Sequence, residues 1–327
     1  MYLASFRYQE RDFLGIRWAG NQLLPVNDLL GLTPGPDLML DLIERAATML
    51  PAISGARLPA GVTPIPADAV TWHPPVRRPG KIVGVAMNNS ASDARKISAP
   101  KHPMFFLKPR SSLLGHMNEL QIRSYYGSVH PEPELAVVIG TRARDISPQD
   151  ALSCVFGYTI MNDMTGNAMR SEDRVHYYAL YASAEDSTKL ERREQHLSYA
   201  ARYKGTDGFA PLGPWLVTRD EIPDPGVLDV ICKVGQEVVA ADSTRYLTYS
   251  VAEILAYLSC FQTLEPGDVI SMGTAFRQQE GAKRSLHSAD LQRVAGPMTV
   301  EITGLGQLVT PVVRTVQEMP QWRLKRG

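Results

Sequence analysis

The chain of 327 residues contains only three cysteines, Cys154, Cys232 and Cys260. They are odd in number and none forms a Cys-x-x-Cys pair, which excludes a disulfide framework and the common zinc modules. Each is expected to be a reduced, buried and inert thiol of a cytosolic protein. Net charge is also lacking, because 34 lysines and arginines balance 34 aspartates and glutamates. Without a basic field, neither nucleic acid nor an anionic membrane is an expected partner. The pair Arg192-Arg193 reads as solvated helix surface. No uninterrupted apolar segment is long enough to span a bilayer. The opening residues carry Arg7, Glu10, Arg11 and Asp12 and hold no apolar core of a secretory signal. A soluble, cytoplasmic protein is expected. There is no Gly-x-Gly-x-x-Gly after a strand and no phosphate loop, which leaves nucleotide chemistry little support. Without His-Glu-x-x-His or Gly-x-Ser-x-Gly, the commonest zinc proteases and serine hydrolases are excluded as well. Internal repeats and the regular βα alternation of a doubly wound fold are missing too.

What is present centres on residues 130–140, His-Pro-Glu-Pro-Glu-Leu-Ala-Val-Val-Ile-Gly. An apolar, β-branched run after two carboxylates reads as a buried strand with an acidic mouth. In extended chain, residues two apart project from one face, so Glu132 and Glu134 lean toward one point. Converging carboxylates repel unless a positive charge lies between them, and a hard divalent cation bound by oxygens answers that need.

Taken in order, Tyr2 to Tyr8 and Leu14 to Val26 alternate around an Ala19-Gly20-Asn21 turn and predict a small antiparallel sheet. Asp37 opens one helix whose stripe is Leu38, Leu42, Ile43, Ala46, Met49 and Leu50. Residues 51–80 are punctuated by proline and glycine and predict an extended connector holding the domain boundary. Residues 1–75 are read as a small N-terminal α/β domain and 76–327 as the catalytic domain. Strands are expected at Lys81 to Val85, Met104 to Lys108 (closed by Pro109), Gly157 to Met161, Leu212 to Val217 and Val269 to Thr274. Further strands flank Gly235, and two more flank Gly304-Leu305-Gly306. Ser147-Pro148-Gln149-Asp150 is a helix start, and Ser250-Val251-Ala252-Glu253 a capping box ahead of another helix. For Ser171 to Tyr203, charged and aromatic, a helical excursion and a lid both stay open. The fold class is α+β, mainly β.

Four patches fall into one order: Glu132 to Gly140; Gly157-Tyr158-Thr159-Ile160-Met161-Asn162-Asp163; Lys204 with Pro211-Leu212-Gly213-Pro214-Trp215; and Pro266 to Thr274. In this the chain resembles the fumarylacetoacetate hydrolase family over Lys81 to Val313. The resemblance implies a mixed, mainly β roll with its active site on one face, in a homodimer. It implies Mg²⁺ or Mn²⁺, with Ca²⁺ also used in the family, held by Glu132, Glu134 and Asp163. Lys204 and Thr274 would then serve catalysis and bind an oxo-acid substrate, with Arg170 as a further substrate contact. Hydrolytic members carry Asn-Tyr-x-x-His-x-x-Glu after the first strand, and its histidine and glutamate activate water. Here residues 88–95 are Asn-Asn-Ser-Ala-Ser-Asp-Ala-Arg, so Ser92 and Arg95 stand in place of that dyad. The arginine usual after the metal aspartate is replaced by Asn167, with Arg170 nearby. The insertion between Asp163 and Lys204 offers His176, Tyr177, Tyr178, Glu185 and His196 as replacements; Asp93, His102, His116 and His130 are others. The expected function is metal-dependent C–C hydrolysis of an acylpyruvate-type intermediate of aromatic catabolism. Alternatives are isomerisation, tautomerisation or decarboxylation of a 2-hydroxy-dienoate or 2-oxo acid, or metabolite binding without turnover.

Overall fold

The computed structural model describes residues 1–54, 61–93, 96–274 and 286–319. The chain begins as a meander of β1 (Tyr2–Tyr8), β2 (Arg11–Trp18) and β3 (Gln22–Pro25). After β4 (Ile82–Ala86) and β5 (Met104–Lys108) come β6 (Pro133–Ile139) and β7 (Val155–Asn162). The insertion contributes β8 (Arg174–Ala182) and β9 (Leu190–Ser198), and β10 (Ala210–Thr218) follows. The last strands used below are β11 (Asp229–Val234), β12 (Glu237–Ser243), β13 (Val269–Thr274), β14 (Met298–Ile302) and β15 (Gly306–Thr310).

Two sheets carry the molecule. The long one runs β3-β2-β1-β10-β7-β6-β13-β4-β5, and its neighbours are antiparallel except β13 and β4. Strand β1 joins β10 with Tyr2 opposite Val217, so the opening meander extends the same sheet as the acidic strand. A second antiparallel sheet, β12-β11-β14-β15, lies over one face. Strand β6 explains this layering. Leu135, Val137 and Ile139 enter the core shared with Val230, Val300 and Ile302 of the second sheet. Ala136 and Val138, of opposite parity, pack with Leu38, Leu42 and Ile43 of the helical layer. A strand covered on both faces has no polar side, which is why its apolar run is continuous. Gly157 is required where β7 squeezes between its neighbours. A Cβ there would meet the Val217 carbonyl oxygen at 2.2 Å.

Local signals mostly hold. Asp37 caps α1 (Leu38–Glu44) by accepting from the Leu40 amide at 3.2 Å. The single helix expected from the stripe is broken in two, since Arg45, at φ −111° and ψ 23°, leaves the helical basin before α2 (Ala46–Ile53). Ser250 and Glu253 close a full capping box on the helix Val251–Phe261, whose Ile254, Leu255 and Leu258 are buried. The helix at Ser147 is only Pro148–Ala151 before it tightens into a 3₁₀ turn. Two expectations are corrected. Arg192 and Arg193 lie on strand β9, not on a helix. Cys154 and Cys232 are buried, but Cys260 is exposed near the end of its helix. The insertion is not a helical excursion but a two-stranded hairpin.

His116 gives this fold a pH response. Its ring stands edge-on to Trp72 at 5.3 Å, and its Nδ1 accepts the Val309 amide at 3.0 Å. Burial pushes its pKa down to about 4. The unfolded chain therefore takes up this proton first, and stability falls as pH drops from about 6.5 toward 4. The loss reaches about 3 kcal/mol for this one group. Urea midpoints measured between those pH values should decline in the wild type and decline less in His116→Gln.

Candidate active site

Glu132 sits just before β6 and Glu134 on it, while Asp163 follows β7, the strand paired with β6. Pro133 lies opposite Asn162 in that pairing. The Asp163 amide donates to the Glu132 carbonyl at 2.8 Å, and the Asn162 side chain accepts from the Glu132 amide at 2.9 Å. These bonds fix the strand mouths against each other. One carboxylate oxygen from each of Glu132, Glu134 and Asp163 lies within 4.8 Å of the others. Glu134 and Asp163 are buried and Glu132 is part-exposed.

The carboxylates are held by distinct partners. Glu134 accepts from the Ser271 hydroxyl and, at 3.0 Å, from the Gly273 amide. Gly273 adopts φ +97°, a left-handed conformation that glycine reaches without strain, and this aims its amide at the carboxylate. Glu132 Oε1 accepts from Thr165 at 2.6 Å and from His130 Nε2 at 3.0 Å. An ionised carboxylate only accepts, so His130 donates there. Lys204, on the short helix Ala201–Gly205, donates to Glu132 Oε2 at 2.8 Å and to Asp163 Oδ2. Its ammonium also stands 5.3 Å from the centre of the Phe106 ring.

Electrostatics separate the two glutamates. Burial pushes Glu134 well above the usual carboxylate range, and the charges of Asp163 and Glu132 push it further. Burial opposes ionisation of Glu132 too, but the Lys204 ammonium and the His130 hydrogen bond outweigh it and hold the carboxyl well below that range. Burial likewise opposes the charge on Lys204, yet Asp163, Glu132 and Glu134 raise its pKa, so it stays an ammonium.

A cavity of 470 Å³ opens onto this cluster, walled among others by Glu132, Glu134, Asp163, Arg170, Lys204 and Thr274. All six residues singled out in the sequence thus face one space. Arg170 comes from the helix Asn167–Glu172, and the Thr274 hydroxyl lies 3.4 Å from the Pro133 carbonyl. Asn167, in the place of the usual arginine, donates its amide to His130 Nδ1 at 2.8 Å. The candidate replacement bases do not join the wall. His176, Tyr177, Tyr178 and His196 lie on the exposed hairpin and Glu185 at its tip. Asp93 is bonded to Lys96 and Thr248, His102 to Tyr257, and His116 packs on Trp72. Residues 90–93 form a short helix; Arg95 lies outside the described residues.

Two groups escaped the sequence reading. Lys108 ends β5, its side chain fully buried, and donates to Asp163 Oδ1 at 2.5 Å and to the Lys204 carbonyl. A lysine closing an apolar strand directly before a proline was the available signal. His287 lines the cavity and stands edge-on to His130 at 4.9 Å. Nothing around it in the sequence marks it.

Three carboxylates in a buried cup are a donor set suited to a hard divalent cation. Burial and the charges of Asp163 and Glu132 disfavour ionisation of Glu134, and a bound cation would offset that repulsion. Among the described residues no helix is long and apolar enough to cross a membrane.

The chain is similar to known proteins along most of its length. The model of the fumarylacetoacetate hydrolase C-terminal domain matches residues 81–313. The human mitochondrial oxaloacetate tautomerase FAHD2A is 33% identical over 240 residues, 73% of this chain and 69% of that protein. Maleylpyruvate hydrolase from Sphingobium sp. SYK-6, solved with manganese(II) and pyruvate, superposes with a TM-score of 0.71 at 27% identity. That match covers 97% of this chain and 100% of the other. Fumarylacetoacetate hydrolase from Exiguobacterium antarcticum gives 0.70 at 26% identity, covering 96% of this chain and 100% of the other. This chain belongs to the fumarylacetoacetate hydrolase family, whose enzymes include hydrolases and tautomerases.

Proposed function

We propose that the protein is a divalent-cation-dependent enzyme of 2-oxo and 2,4-dioxo acids whose chemistry is enolisation. The observation that carries this is the cavity in which Glu132, Glu134 and Asp163 converge beside the Lys204 ammonium. Glu132, Glu134 and Asp163 would hold Mg²⁺ or Mn²⁺, and a bound cation lowers the energy of an enolate formed from a chelating 2-oxo acid. Lys204, kept cationic, donates to the substrate's carboxylate or developing oxyanion and does not act as a base. Thr274 donates to the same end. Arg170 suits a distal carboxylate through its planar fork. Tyr203 and His287 are further wall groups able to carry a proton between carbon and oxygen.

Keto–enol tautomerisation needs no activated water. Ser92 in place of the dyad histidine therefore favours it, as does similarity to the oxaloacetate tautomerase. C–C hydrolysis of an acylpyruvate is the second reading, favoured by similarity to maleylpyruvate hydrolase along almost the whole chain. The test follows oxaloacetate and a panel of acylpyruvates by ultraviolet absorbance, with Mg²⁺, with Mn²⁺ and with chelator, beside Glu132→Ala. Metal-dependent decay of the enol band without pyruvate establishes tautomerisation. Pyruvate released from an acylpyruvate, lost with chelator and in the variant, establishes hydrolysis, whereas pyruvate formed from oxaloacetate marks decarboxylation. Silence on every acid with either metal overturns both readings.

A further inference from the structure

The hairpin β8–β9 stands apart from both sheets. Among the described residues it pairs with no other strand, and most of its residues are exposed. An isolated two-stranded hairpin is marginal in water. Its register sets His176 directly opposite His196 and Tyr178 opposite Glu194. Strand alternation then gathers His176, His196 and Glu194 on one face. The two imidazoles stack with centroids 4.0 Å apart and planes 11° from parallel. His176 Nε2 lies 3.0 Å from Glu194 Oε2. One ligand atom from each of the three lies within 4.8 Å of the others.

We infer that this face is a second metal site, built for Zn²⁺ or a similar borderline transition ion. The donors decide the class. Two imidazoles and one carboxylate suit zinc, copper or nickel, whereas the all-carboxylate cup suits magnesium, manganese or calcium. Two histidines and a glutamate also form a recurrent zinc ligand set that leaves a fourth position open. The side chains of His176 and Glu194 are 55% and 75% exposed, so the ion needs no path through protein. Because His176 and His196 sit on opposite strands, the ion acts as a clip across the hairpin. The metal binds the paired form and so stabilises it.

The experiment uses the full chain, dialysed against chelator and then held in excess Mg²⁺. Zn²⁺ is titrated calorimetrically into the wild type, His176→Ala/His196→Ala and Glu194→Gln. The wild type is expected to bind about one equivalent of Zn²⁺ more than the double variant, and Glu194→Gln to bind that equivalent about tenfold or more weakly. Amide exchange across residues 174–198 should slow with Zn²⁺ in the wild type and stay unchanged in the double variant. Equal Zn²⁺ stoichiometry and affinity in wild type and double variant overturns the site, as does hairpin exchange that Zn²⁺ leaves unchanged.

Discussion

Lys204→Met is expected to lower kcat by about 10²–10³-fold, the usual effect of removing one donor from a developing oxyanion. The same substitution should tighten Mn²⁺ binding. Lys204 donates to Glu132 Oε2 and Asp163 Oδ2, two oxygens of the candidate cation cup. Ammonium and divalent ion therefore compete for the same negative charge. Without the lysine, three carboxylates face one another with Lys108 and the hydrogen-bond donors His130, Thr165, Ser271 and Gly273 in compensation. A slower enzyme that needs less metal is a signature that general loss of structure does not produce. Steady-state rates at saturating Mn²⁺, with a parallel Mn²⁺ titration followed by electron paramagnetic resonance, read both effects. Weaker Mn²⁺ binding in the variant would contradict the assigned role, because it would make Lys204 a support of the cup and not its competitor.

Lys108→Met is expected to act on stability as much as on rate. The side chain is fully buried, and its ammonium serves Asp163 Oδ1 and the Lys204 carbonyl. Burial and the nearby Lys204 charge depress its pKa against the pull of Asp163, so the fold holds this cation only because its partner is in place. Removing it leaves Asp163 buried with half its compensation gone and a carbonyl without its donor. Breaking a buried pair from one side costs about 3–5 kcal/mol. Denaturant midpoints should drop accordingly. Asp163→Asn in the same background should recover much of the loss by removing the stranded charge, while abolishing turnover. Mn²⁺ should raise the midpoint of Lys108→Met more than that of the wild type, since the ion then supplies the missing positive charge. A double variant no more stable than the single one would show that the lysine acts through packing of its stem.

The elements legible in the sequence are those whose causes lie within a few residues. The Asp37 cap, the Ser250–Glu253 capping box and the Glu132–Glu134 spacing work through near neighbours, and each appears in the fold where expected. The helix broken at Arg45 shows where a continuous stripe misleads, because apolar periodicity survives a local change of backbone direction. The hairpin stayed ambiguous for a different reason. Its faces are both solvated, so no apolar alternation separates strand from helix, and only the pairing of His176 with His196 reveals it.

By itself the sequence determined a mainly β enzyme domain, the order of its motifs, and an acidic pair at the mouth of a buried strand. Those depend on alternation, capping and spacing, which act along the chain. Tertiary structure alone decided which charges balance the cup. Lys108 meets Asp163 across 55 residues, and Lys204 reaches Glu132 across 72. It also decided that the insertion's histidines face one another instead of the cavity, and that His287 stands on the cavity wall. Charge compensation in a buried site depends on distance in space and on exclusion of water. Neither is written in the local order of residues.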